Sequence, residues 1–313
     1  INPGQEIILT NNSFIISDSR WIVDGSNKQI IIKGQEDNFG GGLMIRGAVE
    51  KSYFNNVEFM YLKGFKKNSI MKKNNIRYST ITSYTKDKTN KYTEKPFIEN
   101  SNMSNNEFNI TGSLNFYKTN VLLKKINFNR IASEDAVNIV NSEFLINNIE
   151  FFENISDSID FDFSSGNING AKFIKIGNDA IDFSGSTADI KNIFFNDIGD
   201  KLISVGENSN VNISHISAEN SYVGIASKDG SVVRGKDISM DEVILPFISF
   251  NKKSEYESAI MYLEDINLSN FKNKWVTYKD SKIYNENLKV GMVSKNIIPI
   301  IYNKELELLK NLN

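Results

Sequence analysis

A repeat of twenty-two or twenty-three residues runs through the middle of this sequence and constrains its fold more than any other feature. Five similar blocks begin one period apart: SEDAVNIV (133–140), SDSIDFDF (156–163), NDAIDFSG (178–185), DKLISVGE (200–207) and YVGIASKD (222–229). A second set of short apolar segments lies between them: INFNRI (126–131), IEFFENI (149–155), AKFIKI (171–176) and NIFFNDI (192–198). Two or three short strands per period, without helical spacing, are typical of one coil of a parallel β-solenoid.

The same pattern continues less regularly on both sides of these blocks. We therefore expect one all-β domain over residues 1–313, a right-handed parallel β-helix of ten to twelve coils with about 22 residues per coil. The predicted parts are irregular N-terminal coils (1–125, with a long charged loop near 86–96), regular coils (126–232), and irregular last coils that end in a short C-terminal helix (233–313).

The composition supports frequent tight turns and excludes several kinds of disulfide and metal site. The chain has 44 asparagines and four prolines, and asparagine accepts the left-handed backbone conformation that such turns use. With no cysteine and one histidine, His215, the chain has no disulfide and no zinc site built on several histidines or cysteines. The composition does not exclude a calcium site formed by carboxylates.

Charge and hydropathy exclude two further classes of partner. Thirty-six basic and 38 acidic side chains nearly balance, so no global electrostatic argument favours a nucleic acid. No stretch of eighteen apolar residues occurs, so we expect no transmembrane segment. The absence of cysteine is compatible with an exported bacterial protein, and we expect a secreted or cell-surface location.

Alternation within each repeat predicts which side chains face the core. One column of aliphatic residues should point inward and stack from coil to coil, and Phe151, Phe173 and Phe195 should form an internal stack. The aliphatic column is Val137, Ile159, Ile181, Ile203 and Ile225. His215 aligns with Asn192 at a turn, which predicts an exposed histidine without a catalytic role.

The outward positions beside the aliphatic column bring aspartates together. Coils are about 4.8 Å apart, so carboxylates on neighbouring coils repel each other unless a cation compensates or one carboxyl keeps its proton with a raised pKa. A raised pKa is what a general acid requires. The aspartates of this patch are Asp157, Asp160, Asp162, Asp179 and Asp182, and the nearest lysines are Lys201 and Lys228.

These residues are the candidates for a functional site. We predict Asp160, Asp182, Asp179, Lys201 and Lys228 as candidate catalytic residues. Asp160, Asp182, Lys201 and Lys228 are the candidate substrate-binding residues, and Asp157, Asp160, Asp162 and Asp182 are the candidate calcium ligands. The alternative for each of these residues is a purely structural role. Asp157 and Asp179 precede strands, where an aspartate can cap a turn and bind backbone N–H groups between coils.

The succession SDSIDFDFSSG, IGNDAIDFSGS, IGDKLISVGENS and VGIASKDGS resembles consecutive coils of the polygalacturonase family, within the pectin-lyase-like right-handed β-helix superfamily. The resemblance covers residues 150–232 in detail. It places the first family aspartate on Asp157, the aspartate pair on Asn178 and Asp179, the histidine on Asp200, the arginine on Ala226 and the lysine on Lys228. Three of these six positions depart from the family pattern, and the inverting hydrolysis that the family implies needs two carboxyl groups.

The sequence also resembles β-helix segments of bacterial surface proteins, including those attached to CotH-type kinases. The strings that carry this likeness are INPGQEIIL, SRWIVDGSNKQIIIKG and GGLMIRG in the first coils. We expect a module that binds an extended polysaccharide or serves a structural role. A polysaccharide hydrolase, lyase or epimerase that uses the stacked carboxylates is one alternative. A scaffold for a protein partner is another, and the oligomeric state stays open.

Overall fold

The computed structural model describes residues 1–64 and 109–294, together with three two-residue strands at 77–78, 85–86 and 92–93. All regular elements in this part of the chain are β-strands. In chain order they are β1 (Glu6–Ile8), β2 (Ile15–Ser17), β3 (Ile22–Asp24), β4 (Ile30–Lys33), β5 (Leu43–Arg46), β6 (Ser52–Met60), β7 (Arg77–Tyr78), β8 (Thr85–Lys86), β9 (Tyr92–Thr93), β10 (Asn109–Ile110), β11 (Gly112–Tyr117), β12 (Val121–Asn129), β13 (Asp135–Val140), β14 (Glu143–Phe152), β15 (Asp157–Asp162), β16 (Ser165–Ile176), β17 (Ile181–Ser184), β18 (Thr187–Ile198), β19 (Lys201–Gly206), β20 (Asn210–Lys228), β21 (Val232–Phe250), β22 (Ile260–Ser269), β23 (Trp275–Tyr278), β24 (Lys282–Asn285), β25 (Leu288–Val290) and β26 (Met292–Ser294).

Apart from the antiparallel pair β24–β25 and two separate two-stranded sheets, β7 with β10 and β8 with β9, the strands stack in parallel into about ten coils with three faces. Face one contains β2, β5, β11, β13, β15, β17, β19, residues 223–228 of β20, residues 245–250 of β21, β23 and β26. Face two contains β3, the first halves of β6, β12, β14, β16, β18 and β22, residues 210–214 of β20, residues 232–236 of β21, and β24. Face three contains β1, β4, the second halves of β6, β12, β14, β16, β18 and β22, residues 216–219 of β20 and residues 238–241 of β21.

Left-handed residues form the corner between faces two and three. Each coil turns there at a single residue with a positive φ, and asparagine, aspartate and glycine accept this conformation best. A Cβ on Gly170 would lie 2.5 Å from Oδ1 of Asn148 on the neighbouring coil, so that position also excludes larger side chains. The column contains Asn56, Lys125, Asn148, Gly170, Asn192, His215, Asp237 and Asp265, with φ between 53° and 82°.

A ladder of aromatic rings and a column of aliphatic side chains fill the core. On face three, Phe151 and Phe173 stack with ring centroids 5.0 Å apart, and Phe173 and Phe195 stack at 5.1 Å, as predicted. The same ladder continues upstream through Phe128 and Phe59. The predicted aliphatic column on face one, from Val137 to Ile225, is also completely buried. Because the ring spacing equals the coil spacing, each ring packs against its equivalent on the next coil.

A buried serine ladder closes the corner between faces one and two. The backbone N–H of each serine donates to the hydroxyl oxygen of the serine one coil later, over 2.9 to 3.1 Å. These bonds satisfy N–H groups where the strand pairing is interrupted. The ladder consists of Ser142, Ser164, Ser186, Ser209 and Ser231.

The predicted fold class, a right-handed parallel β-helix with about 22 residues per coil, is confirmed. The predicted C-terminal helix lies outside the described residues, as does most of the predicted loop near 86–96. The extent of the domain, with its boundaries at 125 and 232, stays a prediction.

The phenylalanine ladder yields a prediction of stability. We expect Phe173→Ala to lower the free energy of unfolding by about 3–5 kcal/mol, because it leaves a cavity between two stacked rings. The matched control is Phe163→Asn, which changes an exposed ring at a left-handed position and should cost less than about 1 kcal/mol. Urea unfolding followed by circular dichroism measures both. Equal losses for the two variants would contradict the assignment of the ladder as the core.

Candidate functional site

The predicted aspartates and lysines lie on face one and at the turns that lead into it, and two of them, Asp179 and Lys201, are buried. The register is as predicted: Asp160 pairs with Asp182 on the next coil, and Asp182 pairs with Ser204. Around them the structure gathers a larger set, which we call the acid–lysine cluster. It consists of Asp135, Asp157, Asp160, Asp162, Asp179, Asp182, Asp200, Lys201, Lys228 and Lys252.

Asp157 and Asp179 each bind the backbone of the following coil. Oδ1 of Asp157 accepts hydrogen bonds from the backbone N–H of Asp179 over 2.9 Å and from the side-chain amide of Asn178 over 2.6 Å. Oδ1 of Asp179 accepts from the backbone N–H of Lys201 over 3.0 Å. These are the bonds that a turn-capping aspartate makes, so the contacts favour the structural role for both residues.

Lys201 is buried between two carboxylates. Its ammonium group lies 3.1 Å from Oδ1 of Asp179 and also binds Asp200, while only 3% of its side chain is exposed. Burial nevertheless raises the pKa of Asp179 to about 7, against the opposing effect of Lys201. Because Lys201 is enclosed by protein groups, its contacts suit charge compensation rather than direct contact with a substrate.

Asp160 and Asp162 share one hydrogen-bond donor. The side-chain amide of Asn138 lies 3.1 Å from Oδ2 of Asp160 and 3.4 Å from Oδ2 of Asp162. Burial, together with the charge of Asp162, raises the pKa of Asp160 well above its usual value. Burial also raises the pKa of Asp162, to about 6. Near neutral pH this pair therefore carries fewer negative charges than its composition suggests.

Asp182 and Lys228 form a partly exposed pair within the cluster. Their closest atoms, Oδ1 and Nζ, are 3.5 Å apart, with 21% of the aspartate side chain and 14% of the lysine side chain exposed. Oδ1 of Asp182 is itself buried and accepts no hydrogen bond from the protein. This pair therefore offers a ligand an acceptor beside a positive charge.

Asp135, Asp200 and Lys252 belong to the cluster although they were not among the predicted catalytic, substrate or metal residues. Asp135 is almost fully buried, and its pKa is raised by burial and by Glu134. The pKa of Lys252 is lowered by burial and by Lys228. The repeat could have identified the two aspartates, because Asp135 is equivalent to Asp157 and Asp200 is equivalent to Asn178 on neighbouring coils. Lys252 follows β21 in a loop outside the repeat, so no spacing pointed to it.

The predicted calcium site has no geometric support. Within residues 1–64 and 109–294, no three carboxylate or imidazole side chains converge in an arrangement that could hold a metal ion. Asp157 uses Oδ1 for bonds to Asn178 and Asp179, and Asp160 and Asp162 share the amide of Asn138. Calcium binding by the four predicted ligands stays a prediction.

His215 lies where the alignment predicts, at the left-handed corner equivalent to Asn192. Its side chain is 58% exposed, and Nδ1 lies 2.6 Å from Oδ2 of Asp237 on the next coil. This corner separates faces two and three, so the histidine is remote from the acid–lysine cluster on face one.

The cluster combines three chemical abilities. A protonated carboxyl group at Asp160 can donate a hydrogen bond, the side chain of Asp182 can accept one, and the ammonium of Lys228 can bind an oxygen. Carboxyl groups with separated pKa values also have the property that acid–base catalysis requires. A hydroxyl-rich ligand matches this mixture of donors and acceptors.

We compared the chain with protein families, curated proteins and solved structures. No protein-family model matches the sequence. A search of curated proteins likewise gives no match. The part of the chain that the structure describes contains no helix long and apolar enough to cross a membrane.

Solved structures similar to the chain include three β-helix proteins. A family 28 exopolygalacturonase from Yersinia enterocolitica is 13% identical with a TM-score of 0.44, over 93% of this chain and 62% of that one. The catalytic domain of a GH87 α-1,3-glucanase in complex with tetrasaccharides is 11% identical with a TM-score of 0.35, over 93% and 64%. The receptor binding domain of the siphovirus 9NA tailspike is 7% identical with a TM-score of 0.26, over 93% and 72%. The chain spans less than two thirds of the length of the first two proteins, and at these values the likeness does not extend to activity or ligand.

The raised pKa values predict how stability depends on pH. An aspartate whose pKa is about 6 or 7 in the folded state and 3.8 when unfolded stabilises the fold at low pH, and this contribution is lost as the pH rises through the folded-state pKa. We therefore expect the free energy of unfolding to fall by roughly 2–4 kcal/mol between pH 5 and pH 8.

Substitution of Asp162 tests the origin of this pH dependence. Asp162→Asn should flatten the curve and raise stability at pH 8, because it removes one repelling carboxylate. The control Asp197→Asn, at an exposed left-handed corner, should leave the slope unchanged. Urea unfolding at each pH measures all three proteins. A wild-type curve that rises from pH 5 to pH 8 would contradict the raised pKa values.

Proposed function

We propose that the protein binds an extended polysaccharide along face one, with Asp160, Asp182 and Lys228 in contact with the sugar. The observation that supports this proposal is the partly exposed Asp182–Lys228 pair, in which a buried carboxylate oxygen without a hydrogen-bond partner in the protein lies 3.5 Å from an ammonium group. Buried polar atoms are normally satisfied, so an unsatisfied acceptor calls for an explanation. A sugar hydroxyl that donates to this oxygen supplies one.

The shape of face one supports a polymer rather than a small molecule. Its strands lie side by side with a coil spacing of about 4.8 Å, which is close to the length of one hexopyranose unit. Successive sugars can therefore meet equivalent positions on successive coils. The excess of carboxyl groups over lysines in the cluster disfavours a polyuronate, since its carboxylates would add to the existing repulsion. A neutral or weakly charged polysaccharide fits best.

An exported or surface-displayed bacterial protein would meet such a polymer, and this location is part of the proposal. A structural role of the aspartates is compatible with it, because Asp157 and Asp179 hold the coils together while Asp160 and Asp182 face outward.

Hydrolysis of the bound polysaccharide is a second candidate function. It is favoured by the raised pKa of Asp160, which keeps a proton available near neutral pH beside Asp182. In this scheme Asp160 protonates the glycosidic oxygen as general acid and Asp182 activates a water molecule as general base. The glycosidic C–O bond breaks as the bond from water to the sugar carbon forms, which leaves Asp160 deprotonated and Asp182 protonated, and proton exchange with bulk water restores both groups.

Binding at face one is tested with a paired substitution that preserves side-chain shape. In affinity electrophoresis against a panel of neutral polysaccharides and polygalacturonate, we expect a neutral polymer to retard the wild type. The variant Asp182→Asn with Lys228→Met should bind about tenfold more weakly or worse, because it removes the acceptor and the charge. The control Asp237→Asn, on another corner, should bind like the wild type. Unchanged binding by the paired variant would contradict the proposal.

Hydrolysis is tested separately by the release of reducing ends from the polymer that binds. If the second candidate is correct, Asp160→Asn abolishes release while the circular dichroism spectrum stays that of the wild type. The rate should also fall as the pH rises through the pKa of Asp160, because the general acid loses its proton. If the protein binds the polymer but releases no reducing ends, the hydrolase function is excluded for that polymer and only the binding function is supported.

A further inference from the structure

Face two carries a long groove that lies apart from the acid–lysine cluster. Its volume is about 800 Å³, and it crosses the coils from β14 to β24. Seven coils at a spacing of about 4.8 Å give it a length of about 29 Å. The serine ladder runs along the corner between this face and face one, so the two surfaces belong to different sides of the β-helix.

Two outward columns line the groove. Between them, inward residues such as Ile190 and Ile213 belong to the core, so the groove floor is the sheet itself. The first column is Leu145, Asn167, Asp189, Asn212, Arg234, Tyr262 and Tyr284. The second column is Asn147, Asn169, Lys191, Ser214, Lys236 and Glu264.

Amide groups dominate the first half of the groove. Each asparagine side chain offers both donors and acceptors, which is what recognition of vicinal hydroxyl groups requires. Asn212 donates to Oδ1 of Asp189 over 2.6 Å, which fixes the orientation of its amide. Asn192, at the adjoining corner, donates to Oδ1 of Asn169 over 2.7 Å. The groove therefore presents oriented amides rather than freely rotating ones.

Aromatic rings form the other end of the groove. Tyr262 and Tyr284 stack with centroids 5.2 Å apart and an interplanar angle of 12°, and the guanidinium of Arg234 lies 5.7 Å from the centroid of Tyr262. This stack runs along the coil axis, so the rings cover one another and turn their edges outward. Tyr262 is still 40% exposed. Apolar edges beside polar groups match the alternating CH and OH groups of a sugar.

The charges of the groove are nearly balanced. Lys236 lies 3.6 Å from Glu264 and 3.6 Å from Asp265, and Arg234 donates to Oδ1 of Asn210 over 2.9 Å. A nucleic acid or another strongly anionic polymer would require a clear excess of positive charge. The abundance of amides, in turn, disfavours an apolar helix or peptide as the occupant.

We infer that this groove is a second binding site, for a neutral, extended glycan of about five to seven sugar units. The number of units follows from one unit per coil over the length of the groove. The amides of Asn167 and Asn212 bind hydroxyl groups, and Tyr262 packs against a sugar ring at the other end. This site does not depend on the proposed function of face one, because no residue of the acid–lysine cluster lines it.

Binding to the groove alone is measured by calorimetry on a variant in which the proposed site on face one has been removed. The protein used carries Asp182→Asn with Lys228→Met, and the probes are neutral hexasaccharides of glucose, xylose and mannose. We expect at least one probe to bind with a stoichiometry of one. Tyr262→Ala and Asn212→Ala, each added to this background, should weaken binding by about tenfold or more.

Asn196→Ala is the matched control for Asn212→Ala. Asn196 lies on face three and donates to Oε2 of Glu219 over 3.3 Å, just as Asn212 donates to Asp189 on face two. This variant should bind like its parent. Both groove residues are at the surface, and thermal unfolding checks that each variant stays folded.

Several results would overturn the inference. These are the absence of binding by all three probes, equal binding by the groove variants and their parent, or equal losses in Asn196→Ala and Asn212→Ala. A second copy of the chain as the occupant predicts instead that Tyr262→Ala changes the mass measured by sedimentation, which also counts against a glycan site. If face one binds no polysaccharide but the groove does, the proposed function fails and this inference stands.

Discussion

The in-register stacking of coils is the constraint on which the rest of the structure depends. Parallel pairing at about 4.8 Å places each side chain directly above its equivalent one repeat earlier. Stacking of this kind stabilises like residues that attract one another, as the rings of Phe151 and Phe173 do at 5.0 Å. It also joins the backbone of Ser164 to the hydroxyl of Ser186. The same geometry destabilises a column of like charges.

The acid–lysine cluster is the place where this cost is concentrated. Asp160 and Asp182 pair directly, and Asp157 and Asp179 lie on the same two coils. Lys201 and Lys228 offset part of the repulsion, and raised pKa values offset another part by retaining protons. A fold that only needed to be stable would do better with asparagine at the outward positions, as at Asn138. The retained carboxyl groups therefore connect the architecture to the proposed function.

Much of this arrangement could be predicted from the repeat itself. A strict period fixes register, and register fixes which side chains share a column, so the buried isoleucines and the pairing of Asp160 with Asp182 followed from spacing alone. The hydrogen bonds of the aspartate side chains could not be predicted from this spacing. Spacing does not determine whether Asp179 turns toward a ligand or toward the backbone of Lys201, because that depends on turn geometry.

Residues beyond the regular coils were harder to predict for the same reason. Lys252 enters the cluster from an irregular loop at 251–259, which has no equivalent in the preceding coils. This loop also lengthens the interval between Arg234 and Tyr262, so the repeat no longer aligns the columns of the groove. Tyr262 and Tyr284 are again one period apart, and that spacing was the signal that could have found them.

Burial within the stacked coils raises the pKa of several face-one carboxyl groups toward neutral pH. The most direct measurement is a pH titration of the aspartate side-chain carboxyl carbons by nuclear magnetic resonance, with Asp162 assigned through Asp162→Asn. We expect Asp162 to titrate near 6 and Asp179 near 7, well above the 3.8 of an isolated aspartate. If every aspartate of the acid–lysine cluster titrates near or below 3.8, the lysines compensate the charge completely and the claim is wrong.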